Sequence, residues 1–386
     1  IMSEKKRILL LGATGSIGRQ TLDVLRRHPD TFELAGISAG HNEDALQEIA
    51  QEFPEIQAAS VESTDGRPWQ TDLITGADHV ARLMDRVEYD LLVNAVVGFA
   101  GLAPTLKALE SGHDVALANK ESLVAGGPLV KKTLAETGRR LYPIDSEHSA
   151  IWQCLQGSRE KDVNRLIITA SGGSFRDRSR ESLKDASPAE ALKHPNWAMG
   201  KRITIDSATM VNKGFEVIEA HYLFDVPFER IETVLHPQSI VHSMVEFKDG
   251  AVMAQLGSAD MRLPIQYALM MPDRPSLEED NRLDMTRTQS LEFREMDMER
   301  FPILKTAYET GKAGGSAGAV FNGADEEAVA LFLEGKLPFL GIEDAIRYAL
   351  QVVPFVQDPD YEALRDCDRL AREAVRYGVS HGFQVE

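Results

Sequence analysis

At 386 residues, with 43% apolar and 26% charged side chains, the chain has room for two or three domains with sizeable cores. Its formal net charge of −18 excludes the broadly basic surface that a nucleic acid or an anionic membrane calls for, so an anionic ligand needs locally placed cations. No apolar run approaches transmembrane length, and Cys154 and Cys367 lie far apart without metal-ligand spacing, which predicts reduced thiols in a cytoplasmic setting.

The chain enters directly on "KRILLLG" (Lys6–Gly12), a strand, and no secretory or twin-arginine leader is expected. Apolar runs then alternate with helical stretches over about the first 145 residues, which predicts a parallel sheet with crossover helices. The further strands are "FELAGIS" (Phe32–Ser38), "YDLLVNAV" (Tyr89–Val96), "DVALAN" (Asp114–Asn119) and "LYPI" (Leu141–Ile144). In "LLLGATGSIGRQTL", Gly12, Gly15 and Gly18 stand between the first strand and a helix. Glycines there let backbone amides approach a pyrophosphate, and the helix N-terminus supplies free N–H groups. This predicts dinucleotide binding; a merely structural tight turn is the alternative. The second strand ends in "SAGHN" (Ser38–Asn42) with no carboxylate until Glu43, which tilts the choice to NADP(H).

"ANKES" (Ala118–Ser122) brings Lys120 and Glu121 to the carboxyl edge of the sheet, although a surface pair of the two explains them as well. Asp145 and Glu147 follow "LYPI", and side chains at i and i+2 of an extended segment point the same way. Two anions converging there need a cation or a proton between them; a solvated acidic loop fits this stretch equally well. "RLIITA" (Arg165–Ala170) is a buried strand leading to a Gly-rich turn with Ser171 at its lip. The long irregular stretch "KHPNWAMGKR" (Lys193–Arg202) carries Trp197, which either closes over a ligand as a lid or packs its own loop.

A helix is predicted over Ser207–Phe224, capped by Asp206 or Ser207. Asn212, Lys213 and Glu216 share one face of it, where a surface ion pair is the plainer reading. A hairpin turns at Lys248–Gly250, Met270–Gln289 reads as a connector, and from about Arg300 the pattern is amphipathic helix to the end.

"GATGSIG", "ANKESLV", "PIDSEHSAI", "HPNWAMG", "DSATMVNKGFEVIEAHYLF" and "HPQSIVHSMVEF" together resemble the 1-deoxy-D-xylulose 5-phosphate reductoisomerases over essentially the whole chain. The resemblance implies an α/β fold: an N-terminal Rossmann-like parallel sheet, an α+β catalytic domain with a dimerisation sheet, and a C-terminal helical domain. The corresponding bounds are 1–148, 149–275, a linker at 276–298, and 299–386. It further implies a homodimeric, cytoplasmic, NADPH-dependent enzyme of non-mevalonate isoprenoid synthesis. All-oxygen ligands favour Mg²⁺ or Mn²⁺, with Co²⁺ as a further candidate.

Carried over by resemblance, the metal ligands are Asp145, Glu147 and Glu216, and with Lys120 and His194 they form the catalytic set. Substrate contacts fall on Lys120, Ser146, Glu147, Ser171, His194, Trp197, Ser207, Asn212, Lys213 and Glu216. Cofactor contacts fall on Thr14, Gly15, Ser16, Ile17, Gly40, His41, Asn42, Asn119, Glu121 and Gly200. His41 is the departure, since many members carry a longer basic side chain there. The implied reaction rearranges 1-deoxy-D-xylulose 5-phosphate on a divalent metal to a branched aldehyde. NADPH then reduces this to 2-C-methyl-D-erythritol 4-phosphate. Two rivals stand beside it: a metal-independent NADP-dependent dehydrogenase of a phosphorylated aldehyde or polyol, and a nucleotide-sensing regulator. A sensor has no use for converging carboxylates beside an anion site.

Overall fold

The computed structural model describes residues 4–194, 196–277, 282–287 and 290–384. Pro195 of the "HPNWAMG" motif and residues 278–281, 288 and 289 of the connector lie outside the described residues.

In chain order the first elements are β1 (Lys6–Leu11), α1 (Ser16–Arg27), β2 (Phe32–Ser38), α2 (Glu43–Glu52), β3 (Ala58–Val61), β4 (Asp72–Thr75) and α3 (His79–Arg86). There follow β5 (Leu91–Asn94), α4 (Leu102–Glu110), β6 (Asp114–Leu117), α5 (Glu121–Thr137) and β7 (Leu141–Pro143). The seven strands form one sheet in the order β4-β3-β2-β1-β5-β6-β7, with every pairing parallel. Four successive β1 residues, Ile8 to Leu11, are fully buried, as a sheet covered on both faces requires. The order reverses direction at β1, whose neighbours are β2 and β5, and ligands of such sheets collect outside the strand ends at that point. The sequence missed β3 and β4, because their four-residue runs are too short to show a period.

The chain continues through α6 (Ser146–Cys154), β8 (Val163–Ala170), α7 (Pro188–Ala191), α8 (Lys201–Thr209), α9 (Val211–Phe224), β9 (Ile231–Leu235), β10 (Val241–Phe247) and β11 (Val252–Leu256). It closes with α10 (Arg262–Met270), β12 (Arg294–Glu295), α11 (Pro302–Ala313), α12 (Ala317–Leu333), α13 (Gly341–Val352) and α14 (Tyr361–His381). A second, mixed sheet has the order β11-β10-β8-β9-β12, in which only β8 and β9 run parallel.

Two compact units result. The first holds the described residues up to Asn119 with Val130–Asp145 and Met261–Leu277; the second holds Lys120–Leu129, Ser146–Asp260 and the chain after Leu277. Within the first unit α10 is fastened to α1, where Arg262 bonds Asp23 at 3.0 Å and His28 meets Gln266 at 2.9 Å. Among the described residues no helix is long and apolar enough to cross a membrane.

The single helix predicted over Ser207–Phe224 is two helices. Met210 takes a left-handed φ of 74° and separates α8 from α9, a break that no Gly or Pro announces. The predicted cap at Asp206 or Ser207 is also corrected: α8 begins at Lys201, and Asp206 lies inside it as a buried partner of Arg202. Near the C-terminus α14 runs through Gly378 to His381, and that glycine makes room for the Phe383 ring.

Candidate active site

The loop after β1 is shaped by contacts that only glycine permits. A Cβ on Gly12 (φ +75°) would lie 2.5 Å from the Ala95 carbonyl oxygen, and one on Gly18 2.2 Å from the Gly12 carbonyl oxygen. The loop is further fixed by Ser38, whose hydroxyl accepts from Gly12 N at 3.2 Å and whose carbonyl accepts from Ala13 N at 2.8 Å. Gly15 is the N-cap of α1, with no side-chain cap and no acid in the first turn. The α1 N-terminus, flanked by Thr14, Ser16 and Ile17, thus has the character of an anion cradle.

Beyond β2, Gly40 accepts from Glu62 N at 3.0 Å, His41 lies exposed 3.4 Å from Glu62, and Asn42 spends its side-chain oxygen capping α2 through Ala45 N at 3.1 Å. Asn119, at the end of β6, is buried, and its amide donates to Val96 O at 2.7 Å and Gly98 O at 2.9 Å. Glu121 is buried rather than displayed at the surface. Its carboxylate accepts from Arg202 at 2.7 Å, two residues beyond Gly200, the N-cap of α8.

Asp145, Glu147 and Glu216 each offer one oxygen, and the three lie within 4.8 Å of one another. The convergence does not come from one extended strand, as the i, i+2 reading supposed. β7 stops at Pro143, and Glu147 sits in the first turn of α6, where its carboxylate accepts from the Ser146 hydroxyl at 2.8 Å. Asp145 and Glu216 are buried. A donor set of three carboxylates with no sulfur or imidazole fits a hard divalent cation such as Mg²⁺ or Mn²⁺.

Around Glu216 gather the polar groups of α9. Asn212 donates to Glu216 Oε1 at 2.9 Å, Lys120 donates to the same oxygen at 2.9 Å, and Lys213 bonds Oε2. Burial works against charge on Lys213, but Glu147 and Glu216 outweigh it and raise the ammonium's pKa above its ordinary value. His148, not singled out in the sequence, is fully buried and holds the Glu216 carbonyl oxygen at 2.9 Å through Nε2.

Gly173 (φ +68°), two residues beyond Ser171, packs against the backbone of α8, and a Cβ on it would lie 2.5 Å from Ser207 O. Ser171 Oγ meets His194 Nε2 at 3.2 Å. His194 Nδ1 accepts from the backbone N–H of Asn196 at 3.2 Å and of Trp197 at 3.0 Å. Two donors at Nδ1 fix the neutral tautomer with its proton on Nε2, facing Ser171. Burial, followed by the charges of Arg176 and Lys213, lowers the imidazole's pKa to about 4 and keeps it in that form. Trp197 itself lies against the His242 ring, centroids 6.1 Å apart.

Sequence reasoning missed two cations. Arg176 donates to Ser171 O at 2.8 Å, and Arg202 gathers Glu121, Asp325, Glu326 and Asn322 within 3.0 Å. The local signal for Arg202 was its i, i+4 spacing to Asp206; its other partners are 81 or more residues distant.

The sequence matches the family of 1-deoxy-D-xylulose 5-phosphate reductoisomerase over residues 8–127, and the C-terminal domains of that family over 141–224 and 256–374. It is similar to the 1-deoxy-D-xylulose 5-phosphate reductoisomerase of Geobacillus sp. (strain WCH70), 49% identical over 377 residues covering 96% of this chain and 99% of the relative. The Geobacillus kaustophilus enzyme of the same name is 51% identical over 380 residues, with the same coverages. Among solved structures, the Zymomonas mobilis reductoisomerase in complex with NADPH superimposes with a TM-score of 0.89 at 38% identity, covering 97% of this chain and 99% of that one. A DOX-P reductoisomerase in complex with NADPH, fosmidomycin and magnesium gives 0.92 at 36% identity, covering 99% of this chain and 100% of that one. The chain belongs to the 1-deoxy-D-xylulose 5-phosphate reductoisomerase family.

Proposed function

We propose that this protein isomerises and reduces 1-deoxy-D-xylulose 5-phosphate to 2-C-methyl-D-erythritol 4-phosphate with NADPH and a divalent cation. The observation that carries the reading is the convergence of Asp145, Glu147 and Glu216 within 4.8 Å, next to a Ser/Asn/Lys cluster suited to a phosphate. Held by these three carboxylates, Mg²⁺ or Mn²⁺ supplies Lewis acidity to substrate oxygens.

The chain's own groups do the rest. Ser171, Ser207, Asn212 and Lys213 bind the phosphate through charge-assisted hydrogen bonds worth roughly 1.5–3 kcal/mol each. Neutral His194 donates from Nε2, which orients a substrate oxygen without adding a second charge to that of Lys213. Lys120, shared with Glu216, is the proton carrier or oxyanion partner, and Ser146 and Glu147 complete the substrate contacts. Thr14, Gly15, Ser16 and Ile17 cradle the NADPH pyrophosphate, Gly40, His41 and Asn42 meet its adenosine end, and Asn119, Glu121 and Gly200 contact the nicotinamide side.

NADPH oxidation with 1-deoxy-D-xylulose 5-phosphate, with and without EDTA, tests the reading. Turnover abolished by chelation and restored by Mg²⁺ or Mn²⁺ is expected. Turnover indifferent to EDTA favours the metal-independent dehydrogenase of a phosphorylated aldehyde or polyol.

The four-part division at 1–148, 149–275, 276–298 and 299–386 belongs to the same proposal, as do a cytoplasmic location and a homodimer. In favour of the homodimer, β11 is an edge strand with Val252 48% and Met253 52% exposed, an apolar edge that a second copy would cover. Trp197 is proposed to close over bound substrate. Protease cleavage within 193–200 is expected to slow when fosmidomycin and metal are bound, and unchanged cleavage would mean no closure.

A further inference from the structure

Glu43, five residues past the last residue of β2, is the first acid after that strand, at whose end NAD-dependent sheets of this kind keep a carboxylate for the adenosine ribose. It is not available for that role. Only 7% exposed, its Oε1 accepts from the Thr64 hydroxyl at 2.7 Å and from the Trp69 indole N–H at 2.9 Å, and its Oε2 accepts from Asp65 N at 3.0 Å. Arg67 stands 3.8 Å from Oε1. The hydrogen bond from Thr64 is the largest influence on the carboxyl and holds it below its ordinary pKa, so the group stays an anion. The clasping segment is itself braced: Gln47 of α2 donates to Pro68 O at 2.9 Å, and Gly66 N donates to the Thr64 hydroxyl at 3.1 Å.

We propose that this clasp sets cofactor choice: Thr64, Asp65 and Trp69 hold the Glu43 carboxylate away from the adenosine ribose, which leaves the tip of β2 open to a 2′-phosphate. The inference rests on the NADPH reading above. A free Glu43 would accept from a 2′-hydroxyl and repel a 2′-phosphate; a clasped Glu43 does neither. Thr64 and Trp69 then determine specificity as positioning residues, because they act through Glu43.

Thr64→Val with Trp69→Phe removes two donors and leaves the acid in place. Calorimetric binding of adenosine 2′,5′-bisphosphate and of ADP reads the effect without metal, substrate or turnover. The ratio of the two affinities is expected to fall by about tenfold or more, the scale of a like-charge contact. Adding Glu43→Gln to the pair removes the released charge and restores the preference for the bisphosphate. Thr64→Val alone, the milder variant, shifts the ratio in the same direction by a smaller factor. If the unmutated protein binds neither nucleotide, the cofactor reading fails and the inference with it. If it prefers the bisphosphate and the double variant weakens both ligands equally, the clasp is only a brace and the inference alone is overturned. A ratio that Glu43→Gln does not restore has the same consequence.

Discussion

Glu216 accepts from Asn212 and Lys120 on one oxygen and from Lys213 on the other, so a single carboxylate orders three donors while offering itself to a cation. Removing its charge, or that of Asp145 or Glu147, takes away a proposed ligand without opening a cavity. Asp145→Asn, Glu147→Gln and Glu216→Gln are each expected to lower kcat by about 100-fold or more, the scale of a lost electrostatic stabiliser, while circular dichroism and NADPH binding stay near those of the unmutated protein. Full activity of any one in metal-replete protein would remove that residue from the ligand set. For Asp145 and Glu147 spacing alone left a solvated acidic loop open and the resemblance carried the ligand set, whereas Asn212, Lys213 and Glu216 were legible as neighbours because they share a helix face. Arg202 was not, since its partners Glu121 and Asp325 lie 81 and 123 positions away and charged residues in a helical pattern look like a solvated face.

At the scale of elements, the proposed anion site depends on two backbone features, one on either side of α8. The left-handed Met210 turns the chain between α8 and α9, so Ser207 ends one helix while Asn212 and Lys213 begin the next. Gly173, with φ +68° and no room for a Cβ against Ser207 O, seats the Ser171 turn on α8. Gly173→Ala would strain both the dihedral and that contact at a cost of about 1–3 kcal/mol. A lower Tm and a raised KM for the sugar phosphate are expected, with KM for NADPH unchanged. An unaltered KM for the sugar phosphate would show that the turn does not position Ser171. The glycine could be read from the sequence as a turn, but not what it touched. β2 was bounded correctly because its apolar run is long, and the hairpin of β10 and β11 because Lys248–Gly250 carries the turn chemistry. Helix α6 and the break at Met210 escaped, since neither has a Gly, a Pro or a clear period to mark it.

At the scale of the whole molecule, a net charge of −18 makes the buried cations conspicuous, and within the second unit Arg202 is central among them. It joins the start of α5 through Glu121 to α12 through Asn322, Asp325 and Glu326, with Asp206 of its own helix 3.5 Å away. Arg372 of α14 extends the network by bonding Glu326 and Asp368. The carboxylates still outnumber the guanidinium groups. Burial first, and for Asp206 the charge of Asp325 next, raises the pKa of both aspartates above the ordinary 3.8. An acid whose pKa is raised by folding binds its proton more tightly in the native state. Its burial therefore costs stability above the raised pKa, and that stability returns as the pH falls toward 3.8. Arg202→Met keeps much of the side-chain volume but removes the compensating charge, at an expected cost of about 3–5 kcal/mol at neutral pH. Protonated carboxyls need no guanidinium, so the loss in Tm relative to the unmutated protein is expected to shrink as the pH is lowered from 7 toward 5. A Tm difference that stays constant over that range would mean the aspartates do not take up protons there, and that Arg202 stabilises the fold by packing on Phe215 and its neighbours rather than by charge.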